Sequence, residues 1–138
     1  MFCEASLSEV QEFSLSRHGA DLALSDNFVL GEFACNDGSD AILIHPTLVA
    51  LLQTIRTHFG KPVHILSAYR TAEYNALVGG SKNSTHKKGM AADIVVKGVS
   101  LKRIAEFADD LDVGGVGIYP DSGFIHLDVW RSMRRWKG

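Results

Sequence analysis

A histidine and an aspartate lie seven positions apart in the stretch Ser84-Thr85-His86-Lys87-Lys88-Gly89-Met90-Ala91-Ala92-Asp93. Small residues, Gly89, Ala91 and Ala92, fill much of the gap. An imidazole nitrogen and a carboxylate oxygen are donors that suit a borderline cation such as zinc. Two ligands do not make a site. The best third donor is His126, in Gly123-Phe124-Ile125-His126-Leu127-Asp128-Val129. Three protein ligands with a fourth position left to water is the arrangement of a catalytic zinc rather than a structural one. Taken singly, each residue has a plainer reading: His86 as a solvated loop histidine, Asp93 as a cap or a lysine partner. Their joint occurrence around small residues favours the metal.

The elements that must position these residues follow from pattern. Met90 to Lys97 reads as a strand, with a polar loop before it that delivers His86. Gly114 to Tyr119 reads as a glycine-rich strand, Pro120 to Gly123 as a turn and Phe124 to Trp130 as the returning strand of an antiparallel hairpin. Alternation puts Phe124, His126 and Asp128 on one face and Ile125, Leu127 and Val129 on the other. The same rule groups Ala91, Asp93 and Val95. The aliphatic face should pack on helices and the His126/Asp128 face should meet the site. His86, Asp93 and His126 then converge if the two strands are neighbours.

Helices are signalled by caps. Pro46 opens one, with Leu48, Leu51, Leu52, Ile55 and Phe59 on one side and Gly60 at its end. His45 and His58 bracket it as capping or surface residues. Val63 to Leu66 reads as a strand. Thr71 caps a helix through about Leu77, stopped by Gly79-Gly80. Ser100 caps another that carries Leu101, Ile104, Ala105 and Ala108 and ends near Asp110. Before these, Ser8 to Leu15 suggests a short helix with Ser6 or Ser8 as cap, and Asn27 to Phe33 a short extended piece. Ala34 to Asp40 is rich in turn formers. It lacks the later ligands and terminal glutamate of an EF-hand, so it reads as a turn rather than a calcium loop. The predicted class is α+β, a mostly antiparallel sheet with flanking helices, in a single domain with residues 1–27 as an N-terminal extension to a core over 28–138.

The 138 residues, 46% of them hydrophobic, suffice for one buried core. A net charge of −2 gives no general drive toward nucleic acid or an anionic membrane. The basic run from Arg131 to Lys137 reads as a solvated end. Cys3 and Cys35 fit no C-x-x-C pattern and are expected as free thiols. Acidic Glu4 and Glu9 and the lack of a long apolar core argue against a signal peptide, and no stretch approaches a membrane span. A monomer is expected.

Arg70 follows a strand end, close to Ser67 and Tyr69. A fixed guanidinium there suits a carboxylate or the oxyanion of a tetrahedral intermediate; the plainer reading is a surface arginine paired to Glu73. The residues also fit a family pattern. Ser84, His86, Gly89, Ala91 and Asp93 fill S-x-H-x-x-G-x-A-x-D. Ser67-Ala68-Tyr69-Arg70 looks like an S-x-Y-R segment, and Gly117-Ile118-Tyr119-Pro120 with Phe124 to Asp128 looks like a closing segment. Together they resemble the zinc D-alanyl-D-alanine carboxypeptidases and murein endopeptidases, over about residues 27–136.

The resemblance implies the fold shared with Hedgehog signalling domains. It implies zinc on His86, Asp93 and His126, and peptidoglycan stem peptide as substrate. Arg70 would hold or polarise the peptide, with Ser84 and Tyr69 as further substrate contacts. It implies zinc-activated water, a carboxylate as general base, and Arg70 sharing the oxyanion charge. Many relatives carry Asp or Glu three residues before the last histidine as that base, and others a histidine two before. Here those positions are Gly123 and Phe124. Asp128 is the first candidate for the base or for a group orienting the site, and Asp121 the second. The missing usual base leaves a zinc-containing binding module as the alternative. A phage or prophage lysin, a tail-associated wall peptidase and a bacterial remodelling enzyme all fit the resemblance; the lack of a signal-peptide pattern tilts the expectation toward a phage protein acting on the cell wall after release.

Overall fold

The computed structural model describes residue 2 and residues 5–138. The chain runs through a 3-10 turn at Leu7–Glu9, strand β1 (Gln11–Ser14), helix α1 (Leu15–His18), strands β2 (Ala23–Ser25) and β3 (Phe28–Val29), and a second 3-10 turn at Leu30–Phe33. Strand β4 (Ala41–Ile44), helix α2 (Pro46–Phe59), strand β5 (Val63–Ser67) and helix α3 (Ala72–Leu77) follow. The chain closes with β6 (Ala91–Val96), α4 (Leu101–Asp110), β7 (Gly115–Tyr119), β8 (Phe124–Asp128) and β9 (Arg134–Lys137). The fold is α+β, and its main sheet has the order β5-β6-β8-β7-β9. Every pairing in that sheet is antiparallel except β7 with β9.

Local chemistry accounts for the helices. In α2, His45 Nδ1 accepts the Thr47 N–H, Pro46 occupies the first turn, and Gly60 ends the helix at φ +63°. Its apolar side, Leu48, Leu51, Leu52 and Ile55, is buried, each side chain stabilising the fold by about 1.5–3 kcal/mol. Thr71 and Ser100 accept backbone N–H groups at the starts of α3 and α4. Helix α4 packs on β7 and β8, and α2 on β5. Ala92, Ile94, Ile125, Leu127 and Val116 face this layer and form the core. The opposite sheet face is left for polar side chains.

Two stretches depart from the sequence reading. Ser8 to Leu15 is not a helix: Gln11–Ser14 is a strand paired with Ala41–Ile44, and helical turns come only before and after it. Ser6 caps the first of them, and the strand pairs across a separation that local pattern does not register. Where described, residues 1–27 pack on the core through Ala5 and pair through β1 and β2 with later strands. The basic C-terminal run is not a solvated end either, because Arg134–Lys137 forms the last strand of the main sheet. Cys35 is a buried free thiol; the matching expectation for Cys3 lies outside the described residues.

Candidate metal centre

The strand register assembles the site. Asp93 on β6 lies directly opposite His126 on β8. Ser67 flanks Asp93 on one side, and Gly117 and then Trp136 continue beyond His126. One rung of the sheet thus reads Ser67, Asp93, His126, Gly117, Trp136 across all five strands. A second rung, two residues along on the same face, reads Ala91, Asp128, Gly115, Arg134.

His86 arrives from the loop before β6. Its ring sits 5.1 Å from that of His126. The loop is fixed by hydrogen bonds: Ser84 Oγ accepts the His86 N–H at 3.2 Å, and His45 N–H reaches the Gly89 carbonyl at 2.8 Å. Gly89 has φ +72°, and a Cβ there would stand 2.5 Å from the Leu43 carbonyl oxygen. The glycine of the sequence pattern is required by both facts.

The ligand atoms of His86, Asp93 and His126 lie within 4.8 Å of one another, and all three residues are buried. Among the described residues this is the one such cluster. Asp93 Oδ1 is 3.2 Å from His86 Nε2 and 3.1 Å from His126 Nδ1. The other ring nitrogens are committed. His86 Nδ1–H donates to the Ala68 carbonyl at 2.7 Å, and His126 Nε2–H donates to Asp128 Oδ2 at 2.8 Å. A carbonyl or carboxylate only accepts, so each inner nitrogen of a neutral ring holds a lone pair. Two lone pairs and a carboxylate oxygen then converge on one point, which only a positive centre reconciles. Ligands bonded to zinc at about 2.0–2.1 Å in a tetrahedron stand about 3.3 Å apart. The two short separations here match that edge. The donor set, its spacing and its outer hydrogen bonds fit a zinc ion.

Electrostatics follow the same plan. Burial alone would raise the Asp93 pKa, but the adjacent imidazoles of His126 and His86, which donate to it when protonated, outweigh burial and hold the carboxyl well below its usual range. Burial likewise opposes the charged form of His126, yet Asp128 and Asp93 draw its pKa upward. Arg70 completes the rim. It donates from Nε to Ser67 Oγ at 3.1 Å, from Nη1 to Asn75 Oδ1 at 3.4 Å and from Nη2 to Asp93 Oδ2 at 3.3 Å. It is not the partner of Glu73.

A cleft of about 460 Å³ opens over the cluster, lined among others by Arg70, Ser84, Tyr119, Phe124, Arg134 and Trp136. A larger groove of about 720 Å³, with Phe13, Leu24, Val49 and Phe107 in its walls, lies elsewhere. Size does not mark the site here: the smaller cleft holds the converging titratable groups.

Two sequence expectations meet a definite geometry. The first is Asp128, read as general base or as a group orienting the site: the orienting role is the one that fits. Asp128 is fully buried, and five donors occupy it. Gly115 N–H, Trp130 N–H and Arg134 Nη2 bind Oδ1, while Thr85 Oγ1 and His126 Nε2 bind Oδ2. A carboxylate so enclosed orients His126 and has no lone pair free for water. Asp121, the second candidate for the base, is exposed in the β7–β8 turn and does not line the cleft. The second is Tyr69, expected against substrate; it packs on the core instead, with its N–H bound to the Phe33 carbonyl. Sequence reasoning missed Arg134, Trp136, Thr85 and Asn75. For the first two a signal existed: arginine and tryptophan alternate with Arg135 and Lys137, which is strand periodicity inside a basic run.

The family model described as Peptidase M15 matches residues 24–128, which include all three candidate ligands. The chain belongs to the Peptidase M15 family. It is 39% identical over 101 residues to a probable peptidoglycan L,D-endopeptidase MepK of Haemophilus influenzae, covering 67% of this chain and 54% of that protein. It is 38% identical over 81 residues to the peptidoglycan L,D-endopeptidase MepK of Escherichia coli, covering 55% of this chain and 44% of the relative. The chain thus spans about half the length of the curated relatives it matches.

Proposed function

We propose that this protein is a zinc-dependent peptidase that cleaves peptide bonds of bacterial peptidoglycan. The observation that carries the reading is the convergence of His86 Nε2, Asp93 Oδ1 and His126 Nδ1, each ring held by its other nitrogen. Membership of the Peptidase M15 family supports hydrolysis, and the relatives' names support peptidoglycan as substrate and an internal bond rather than a terminal one.

When bound there, zinc supplies a Lewis acid that acidifies water and polarises a scissile carbonyl. The chain's own residues do the rest. His86, Asp93 and His126, which line the cleft, would hold the ion. Arg70, tied to Ser67, Asn75 and Asp93, keeps a guanidinium at the rim, where negative charge develops on the carbonyl oxygen. Asp128 keeps a proton on His126 Nε2 and so keeps Nδ1 bare. Tyr119, Phe124 and Trp136 wall one side and exclude water from the bound peptide.

One observation favours a second reading, a zinc-containing binding module of the same fold. Among the described residues that line the cleft, Asp93 is the only carboxylate, and it is already a ligand. A single experiment separates the two. Purified protein is assayed for zinc and incubated with defined muropeptides, and the products are weighed. Bound zinc with cleaved peptide supports the peptidase; bound zinc with intact peptide supports the binding module; no zinc uptake refutes both.

A further inference from the structure

Two residues of the last strand, Arg134 and Trp136, lie outside the ligand set, yet both reach His126. Arg134 Nη2 donates to Asp128 Oδ1 at 2.5 Å, and the other oxygen of Asp128 takes His126 Nε2–H at 2.8 Å. Trp136 lies with its ring 5.1 Å from the imidazole. It fits there because position 117 is glycine: a Cβ would come within 2.3 Å of the indole. The indole N–H is anchored on Tyr119 OH at 2.8 Å. Gly115 makes the same allowance on the neighbouring rung, where a Cβ would stand 2.2 Å from Asp128 Oδ2.

An imidazole can coordinate through either nitrogen, and which one it offers depends on what holds the other. Here that holder is Asp128. The four donors besides His126, Gly115 N–H, Trp130 N–H, Thr85 and Arg134, fix this carboxylate in place, and Arg134 is the one permanent cation among them. Without the guanidinium the carboxylate can settle toward Gly115 and Trp130 and away from His126. Without the indole the ring has room to turn. We propose that Arg134 and Trp136 are positioning residues for His126, Arg134 through Asp128 and Trp136 by packing on the ring, so that the last strand sets the affinity of the site for zinc. This rests on the reading of the cluster as a zinc centre.

The test is zinc affinity of the full chain, measured by competition with a chromophoric chelator. Arg134→Met and Trp136→Ala should each weaken binding about 10–100-fold, the usual effect of losing an outer-shell partner. Arg134→Lys, which keeps the charge and loses the planar fork, should fall between Arg134→Met and wild type. Wild-type affinity in both Arg134→Met and Trp136→Ala overturns the proposal. Should Arg134→Met fail to fold, Arg134→Lys decides: an intermediate affinity supports the proposal and an unchanged one overturns it.

A second measurement needs no variant. Nitrogen-15 spectra of metal-free wild type, taken at alkaline pH where His126 is neutral, should show hydrogen on Nε2 and none on Nδ1. Mixed or reversed tautomers overturn the proposal. If wild type takes up no zinc, the metal reading fails, while these spectra still decide whether His126 is held.

Discussion

Asp93 and His126 face each other across β6 and β8, and one carboxylate oxygen meets the ring nitrogen at 3.1 Å. The pair is set by strand register, so its geometry does not depend on a loop. His86 does come from a loop, and it is the third candidate ligand, closing the set. Removing either imidazole leaves two donors, too few for tight zinc. His86→Ala and His126→Ala should purify without zinc by atomic spectroscopy. Full occupancy in either variant would move the ligand to another residue.

Asp128→Asn separates an orienting group from a base. The amide keeps the shape but cannot carry the charge that Arg134 and His126 share. As an orienting group, Asp128 should be missed first in zinc affinity, and turnover should recover partially at saturating zinc. A base would leave affinity intact and lose turnover at every zinc concentration. Chelator competition run beside muropeptide digestion distinguishes these outcomes.

Arg70→Ala should keep zinc and lower kcat by about 10²–10³-fold, the typical loss when one donor to an oxyanion is removed. The three hydrogen bonds of Arg70 pre-set its position, so Arg70→Lys should not restore the rate. An effect confined to KM would instead make Arg70 a ground-state contact.

Much of this arrangement was legible in the sequence because its signals are local. Pro46, Thr71, Ser100 and Gly60 mark helix ends through hydrogen bonds within one turn, and the helices begin and end where those residues stand. The alternation of Phe124, His126 and Asp128 gave the polar face. What escaped depends on distant pairing. Gln11–Ser14 becomes a strand only because Ala41–Ile44 lies beside it, and Arg134–Lys137 only because β7 offers a parallel edge. The burial of Asp128 escaped for a related reason. Its position two residues after His126 fixes the shared face, but its burial depends on donors from Gly115, Thr85 and Arg134.

Two glycines should resist substitution for different reasons. Gly89→Ala adds a Cβ at φ +72° against the Leu43 carbonyl, and Gly117→Val drives a side chain into Trp136. Each should destabilise by about 1–3 kcal/mol in urea titrations. Gly117→Val should also weaken zinc binding, since the indole must move away from His126. Gly98→Ala is a control, with positive φ and open space, and should cost less than Gly89→Ala.

Stability of the metal-free protein should depend on pH from both sides. Burial of Asp93 and Asp128 acts against their ionisation, yet His126 and neighbouring donors and charges bring both below the ordinary 3.8. Their contribution is complete above 3.8 and is lost as the pH falls through the folded values. His126 runs the other way. Burial disfavours its charge, but Asp128 and Asp93 raise it above 6.5, so its contribution is complete below 6.5 and is lost as the pH rises through the folded value. This cluster therefore supports the metal-free fold best between 3.8 and 6.5. Zinc bound at the cluster would take the place of the proton on His126 Nδ1, so the loaded protein should keep its stability through the alkaline limb. Denaturation midpoints of chelator-treated and zinc-loaded protein from about pH 3 to about pH 9 read both limbs. A metal-free curve that stays level above 6.5 would show that His126 gains nothing from Asp93 and Asp128.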